Sequence, residues 1–401
     1  MEVRIGDSIE CNPTVKLVKG NEYPLIDIDK ITVGRKLVTN KDTIVYEKQS
    51  GCKFQNGDTL MARITPCLEN GKMAMASIPD KGIGSTELFV FRGKKGITDN
   101  DFVYYFLKQS YIRNLAANSM TGASGRQRAD LKFIKKIKFD LPSLPTQQKI
   151  ATILSAYDRL IENNTRRIRL LEQMAENLYK EWFVRFRFPE HEKVEMVNGL
   201  PKGWRAIHIK ELAQLKSGYA FKSEWFIEEG EAVAKIKDIG NILMDTSSFS
   251  YVDKENCIKA KKFLLTTGDL TIALTGATIG KISIVPKHKG NIYTNQRLGK
   301  FFLGDKPMEK LPFLYCLFKQ ESMVSNIVNL SNSSSAQPNI SPEQIEKIKI
   351  LGNHDIISMY NKTCNPLFSN ILALYSQNQL LTHQRDLLLP RLMSGKLEVK
   401  S

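Results

Sequence analysis

Three short stretches carry residue types that do chemistry in other proteins, and each lacks a part its chemistry needs. Gly276-Ala277-Thr278-Ile279-Gly280-Lys281 has the outline of a phosphate-cradling loop. Only three residues separate its glycines where such a loop needs four, and Ile282 stands where a hydroxyl would hold magnesium. Cys364-Asn365-Pro366-Leu367-Phe368 has the Asn-Pro pair and final aromatic of an adenine amino-methyltransferase motif, without its second proline or an accompanying Gly-rich methyl-donor loop. Pro79-Asp80 with Glu87 opens like a nuclease metal site, but Phe89 occupies the position of its lysine. The five histidines form no cluster with carboxylates, so acid–base and nucleophilic catalysis are unsupported. Cys11, Cys52, Cys67, Cys257, Cys316 and Cys364 show no zinc spacing and are read as reduced and structural. The chain is expected to catalyse nothing and to hold no metal or cofactor of its own.

Recognition chemistry remains. Lys and Arg number 58 against 42 Asp and Glu, a net charge of +16, which favours a polyanionic partner and nucleic acid first. Base edges are read by Arg, Lys, Asn and Gln held on permissive backbone. Thr121-Gly122-Ala123-Ser124-Gly125-Arg126-Gln127-Arg128 fits that description, with Ser124, Arg126, Gln127 and Arg128 as candidate readers. Its counterpart, Asn332-Ser333-Ser334-Ser335-Ala336-Gln337-Pro338-Asn339, offers Ser334, Gln337 and Asn339. Arg63 with Lys72, and Lys281 with Asn295, Gln296 and Arg297, form a second set. Lys53, Arg92, Lys94, Lys95, Lys222, Lys235 and Lys237 are candidates for neutralising phosphates, which gives affinity and salt dependence without sequence information. The competing reading of each loop is a solvated surface, and for any single lysine that is the ordinary role.

The elements that must position these residues are written twice. Gly57-Asp58 recurs as Gly268-Asp269, an offset of 211 (268 − 57). At the same offset Phe102–Gln109 matches Phe313–Gln320 and Lys136-Ile137-Lys138 matches Lys347-Ile348-Lys349. A chain of 401 residues has room for two or three domains, and 42% apolar residues supply their cores. Each half runs from a strand-rich portion, cut by turn signals such as Asn56-Gly57 and Thr267-Gly268, into a helical portion. The boundaries read as 1–141, helical 142–187, a polar linker 188–203, then 204–350 and helical 351–401. Charged residues at Glu2, Arg4, Asp7 and Glu10 argue against a secretory leader, and no apolar run approaches eighteen residues. A soluble cytoplasmic protein is expected.

The helical portions carry heptad seams. In the first, Ile150, Leu154, Tyr157, Ile161, Asn164, Ile168, Leu171, Ala175, Leu178 and Trp182 alternate spacings of four and three. Leu367, Ile371, Leu374, Asn378, Leu381, Arg385, Leu388 and Leu392 do so in the second. Ser155 with Asp158, and Asn365 before Pro366, resemble helix starts, which predicts a short helix, a break and a longer helix of roughly thirty residues in each half. Such a helix is about 45 Å long, more than one turn of DNA. An ordinary helical hairpin completing each core is the alternative. The facing of Asn164 and Asn378 stays open, as does the partner of Arg166, Arg167 and Arg169, for which DNA, another subunit and water are equal readings.

Taken together, these features resemble the DNA-specificity subunit of type I restriction-modification systems. The resemblance rests on several stretches: Leu141-Pro142-Ser143-Leu144-Pro145-Thr146-Gln147-Gln148 leading into the first helix, Leu178-Tyr179-Lys180-Glu181-Trp182-Phe183 leaving it, and Leu200-Pro201-Lys202-Gly203-Trp204. Ala62-Arg63-Ile64-Thr65-Pro66, Thr275-Gly276-Ala277-Thr278-Ile279-Gly280-Lys281 and Leu389-Pro390-Arg391-Leu392-Met393-Ser394-Gly395-Lys396 belong to it as well. It implies an α+β chain with two strand-rich target-recognition domains in tandem. Each is followed by a long helix, and the helices pair as an antiparallel coiled coil that sets a spacer. It implies a non-catalytic subunit reading a bipartite, asymmetric site in double-stranded DNA. Two modification (methyltransferase) subunits with S-adenosylmethionine, and restriction subunits with ATP and magnesium, would act on the DNA; no membrane is involved. Leu351-Gly352-Asn353-His354-Asp355 departs from the Pro-rich, Gln-containing form, and Pro366 interrupts the second helix, which weakens the inference of partner docking there. The other readings are a stand-alone two-domain DNA-binding regulator, and the specificity chain of a related system that cuts on both sides of its site.

Overall fold

The computed structural model describes residues 2–122, 126–331 and 338–399. Two compact units account for the chain: Met1–Asn163 with Asn378–Ser401, and Asn164–Gln377. The division falls within both long helices.

In the first unit a five-stranded sheet has the order Ile9–Cys11, Leu88–Gly93, Thr59–Ala62, Met73–Ala76, Leu37–Val38. A four-stranded sheet orders Thr43–Val45, Glu22–Ile26, Lys81–Gly84 and Cys52–Gln55. The helix Asn100–Lys108 packs on the larger sheet with every residue from Phe102 to Leu107 buried. In the second unit the sheets are Gln214–Ser217, Leu298–Phe302, Leu270–Ala273, Ile282–Ile284, and Phe226–Ile227, Ser250–Val252, Glu231–Ala234, Ile292–Thr294, Leu264–Leu265. Its helix Leu311–Lys319 is buried from Leu311 to Phe318. Continuous burial of these helices explains why they show no polar face in sequence.

The repeated Gly-Asp pair has a physical origin in both units. Gly57 and Gly268 take φ of +82° and +90°, left-handed values that side chains resist, and a Cβ on Gly268 would lie 2.8 Å from the Met308 sulfur. The next residue is a buried aspartate that ties its turn to a cation on a neighbouring strand. Asp58 accepts from Gln55 N (2.8 Å) and from Arg92 Nε and Nη2 (2.7 and 2.8 Å). Asp269 accepts from Thr266 N (2.7 Å) and pairs with Lys300 Nζ (2.7 Å). Arg92 is therefore committed to the core rather than offered to phosphate.

The two long helices are Leu144–Tyr179 and His354–Met393, each unbroken. The expected breaks at Ser155 and at Asn365-Pro366 do not occur, because these residues serve packing and not capping. Ser155 accepts from Lys36 Nζ at 2.7 Å. Asn365 Nδ2 donates to Met308 O (3.1 Å), while Cys364 and Phe368, either side of the exposed Pro366, are fully buried. Within the first unit the two helical segments run in opposite directions, Asp158 meeting Arg385 and Asn378 Nδ2 donating to Ile161 O (3.2 Å). Within the second they also oppose, with Asn164 Nδ2 donating to Gln377 Oε1 (3.4 Å) and Tyr360 Oη to Ala175 O (2.7 Å). Ile168, Ala175, Trp182, Ile371, Leu374 and Leu392 are buried. Tyr157, Ile161, Leu171, Leu178, Leu367, Leu381 and Leu388 are half-buried, and Asp158, Glu172, Tyr179 and Phe368 beside four of them are the more deeply packed.

Each long helix sends an amide side chain to the start of a shorter one. Fully buried Gln147 accepts from Asp99 N (3.0 Å) and donates to Ile97 O and Pro142 O (2.9 Å each). The second lead-in lacks that glutamine, and Asn361 instead accepts from Phe313 N at 2.8 Å. Residues 188–203, a polar linker by sequence, hold the turn His191–Lys193 and the hairpin Met196–Val197 with Leu200–Pro201. Phe188 and Trp204 at its ends stack at 6.0 Å within the second unit's core.

The repeat is not symmetric in charge. Lys319 pairs with Glu172 at 3.2 Å, whereas the ammonium of its half-buried counterpart Lys108 is buried with no hydrogen-bond partner among the described residues. Burial first, then the nearby Arg385, pushes the Lys108 ammonium down to about 8, with Asp158 opposing. Its folded value lies below the unfolded one near 10.4, so the unfolded state binds the extra proton between them and stability rises with pH from about 8 to 10. Urea midpoints across that window should rise for the wild type and flatten for Lys108→Met; equal slopes would contradict the burial argument.

Candidate nucleic-acid interface

The candidate readers of each unit converge on one backbone frame. In the first unit four hydrogen bonds stitch the segment after Thr59–Ala62 to its neighbours: Ala62 N to Lys72 O (3.0 Å), Arg63 N to Glu87 O (3.0 Å), Ala129 N to Arg63 O (2.8 Å) and Thr65 N to Gln127 O (3.0 Å). The second unit repeats them after Leu270–Ala273: Ala273 N to Lys281 O (2.8 Å), Leu274 N to Arg297 O, Ile340 N to Leu274 O and Gly276 N to Pro338 O (3.0 Å each). A bridge between Ile64 and Arg128 is matched by one between Thr275 and Asn339, both members displaced by 211 residues (275 − 64, 339 − 128). Backbone hydrogen bonds can sustain this pattern whatever the side chains, which frees the side chains to differ.

They differ fully. Arg63, Glu87 and Arg128 occupy positions taken in the second unit by Leu274, Arg297 and Asn339. Arg128 Nε donates to both Glu87 carboxylate oxygens (3.1 and 2.9 Å), and its Nη2 donates to Oε1 (2.6 Å). Those hydrogen bonds hold the Glu87 carboxyl below the ordinary carboxylate range. The pair's contribution is therefore present above the unfolded carboxylate value and fades as pH falls through the folded one. Arg63 lays its guanidinium carbon 4.9 Å from the Phe89 ring centroid, with its buried Nε lacking a hydrogen-bond partner among the described residues.

The remaining sequence candidates are placed as follows. Arg126 is exposed and Gln127 half-buried on the same segment. Lys72 lies in the frame through its carbonyl, but its ammonium donates to Ile28 O at 3.0 Å. Lys281, Gln296, Arg297 and Asn339 are exposed. Asn295 is buried and its Oδ1 accepts from Arg297 N (3.3 Å), a turn-forming role. Ser124, Ser334 and Gln337 lie outside the described residues. Of the lysines assigned to phosphate, Lys53, Lys222 and Lys235 lie over Tyr46, Trp225 and Phe226, the last at 3.6 Å from the ring centroid. Sequence reasoning missed Glu87 as a member of this site, setting it aside with the incomplete nuclease pattern. Among the described residues no helix is long and apolar enough to cross a membrane.

A duplicated α+β unit that presents basic and amide side chains from one repeated frame defines a DNA-recognition protein of modular build. The chain belongs to the family of type I restriction modification DNA specificity domains, whose model matches residues 2–173 and 201–351. It is accordingly the DNA-recognition, non-catalytic component of such a system. It is similar to the specificity subunit of type I restriction enzyme MjaVIII from Methanocaldococcus jannaschii, 29% identical over 87% of this chain and 81% of that one. It is also similar to the HindI specificity subunit from Haemophilus influenzae, 25% identical over 86% and 87% of the two chains. The fold is that of the S subunit of a type I restriction-modification system from M. genitalium, at a TM-score of 0.57 and 16% identity over 100% of this chain and 96% of that one.

Proposed function

We propose that the two units each read one half of a split, asymmetric site in double-stranded DNA, and that the chain directs partner subunits to methylate adenine or cleave DNA there. The observation that supports this reading is the identical hydrogen-bond frame filled by different side chains. One docking geometry used twice with different base contacts gives two unlike half-sites. Residues 1–141 and 204–350 are the recognition domains in this proposal. The helical segments 142–187 and 351–401 set the spacing and carry two modification subunits. S-adenosylmethionine belongs to those subunits, and ATP with magnesium to restriction subunits.

The test is co-expression of this chain with its modification subunit in a host lacking adenine methylation, followed by mapping of modified adenines. A split motif that needs both chains is the expected result. Exchange of 1–141 for a relative's domain should then alter one half-site alone. Methylation by the partner without this chain, or alteration of both half-sites by the exchange, would contradict the proposal. Tight site-specific binding by the chain alone with no complex would favour a stand-alone regulator.

A further inference from the structure

Arg128 has five N–H donors in a fixed planar fork, and Glu87 engages one edge of it, the Nε and one Nη2 hydrogen. The end of the fork between Nη1 and Nη2 keeps two parallel donors, one of them only weakly engaged by Arg126 O at 3.4 Å. The side chain is 43% exposed, so that end meets solvent. Two parallel donors match the O6 and N7 acceptors of guanine in the major groove. The carboxylate fixes the plane of the guanidinium before any DNA arrives, which lowers the ordering cost of the contact.

In the second unit the bridge position of Arg128 is held by Asn339, exposed and carrying an amide donor group beside a carbonyl acceptor. That set matches the N6 and N7 groups of adenine and cannot satisfy the two acceptors of guanine. The position of Glu87 is held by Arg297, which has no carboxylate to aim a fork. The two units thus offer different hydrogen-bonding groups on equivalent backbone.

We infer that Arg128, aimed by Glu87 as a positioning residue, reads a guanine in the half-site of the first unit, and that Asn339 reads an adenine at the equivalent place in the other half-site. This rests on the split-site reading above and adds the base identity and the aiming carboxylate to it.

The experiment is methylation by the complex of full-length chain and modification subunit on duplexes carrying each base pair at every position of the mapped motif. A wild-type complex with no split motif would remove the underlying reading before the variants are tested. With the motif in hand, the first half-site should contain a G·C pair at which Arg128→Lys and Glu87→Gln lose discrimination by about 5–150-fold, the worth of one bidentate contact. The other positions should keep theirs. Glu87→Asp, which retains the carboxylate, should recover part of it, and Arg297→Glu with Asn339→Arg should shift the second half-site from adenine toward guanine at one position. Unchanged discrimination in Arg128→Lys, or a loss spread evenly over all duplexes up to complete inactivity, would assign the pair a structural role and overturn the inference.

Discussion

Arg385→Ala is expected to destabilise the first unit by about 3–5 kcal/mol, the usual cost of leaving one partner of a buried ion pair alone. Arg385 and Asp158 have side chains only 3% and 7% exposed, and Arg385 Nη1 donates directly to Asp158 Oδ1. Tyr105 Oη donates to the other carboxylate oxygen, and Arg385 Nε reaches Asp386 Oδ1 at 2.9 Å. Without the guanidinium, Asp158 keeps one tyrosine hydroxyl and the attraction of Lys108, so its charge is poorly compensated. Desolvation leads the causes that push the Tyr105 phenol up, so proton transfer from it brings no relief. The paired change Asp158→Leu with Arg385→Met removes both charges and should cost within about 1 kcal/mol, since two apolar side chains need no partners. Urea unfolding followed by circular dichroism gives the energies. Hydrogen exchange should show the loss in peptides from Leu144–Asn163 and Asn378–Met393. Trp182, Trp204 and Trp225 all lie in the other unit, so tryptophan fluorescence offers an internal contrast. A single mutant costing less than about 1 kcal/mol would place this pair with ordinary surface ion pairs.

Asp158 also shows why part of the helix packing was hidden in the sequence. Heptad reading follows apolar residues, and it put Tyr157, Leu171 and Leu178 on the seam, where the structure leaves them half-buried. The deeper neighbours Asp158 and Glu172 are carboxylates, which periodicity counts as solvent-facing. Glu172 is held by the Tyr315 hydroxyl and by Lys319 at 3.2 Å, so burial is satisfied by partners that lie 143 residues or more away in sequence. Arg385, a charge at a seam position of the second helix, was the available signal. The breaks expected at Ser155 and Pro366 failed for a related reason: local capping signals are weak against a helix whose flanks are fully packed. The repeated backbone frame was legible because the duplication exposed it. Offset matching paired Arg128 with Asn339, and the structure sets them on equivalent bridges, one to Ile64 and the other to Thr275. The link from Arg128 to Glu87 spans 41 residues, and nothing in either segment names the other.

The duplication makes a second large effect testable in two copies. Asp58 is fully buried and lies one residue beyond the last pair, Phe91 with Thr59, of Leu88–Gly93 and Thr59–Ala62, and the Arg92 guanidinium meets it through two donors. In the second unit Lys300 pairs across from Thr271, two residues along from the position opposite Asp269. A long ammonium side chain spans that diagonal as a point charge and also donates to Leu264 O at 2.8 Å. Asp58→Ala and Asp269→Ala should each cost about 3–5 kcal/mol, because each strands a largely buried cation and an unpaired turn amide. The cations should not be interchangeable. Arg92→Lys replaces a two-donor fork with a point charge and should lose roughly 1.5–3 kcal/mol, the worth of a charged hydrogen bond. Lys300→Arg must fit a planar group between Asp269 and the Leu264 carbonyl and should be disfavoured by overpacking of about 1–3 kcal/mol. Denaturant midpoints of the four variants measure these differences. If both aspartates could be removed for less than about 1 kcal/mol, the repeated dipeptide would owe its recurrence to the glycine's positive φ alone; the burial of both carboxylates against cations argues that the aspartate is what each sheet requires.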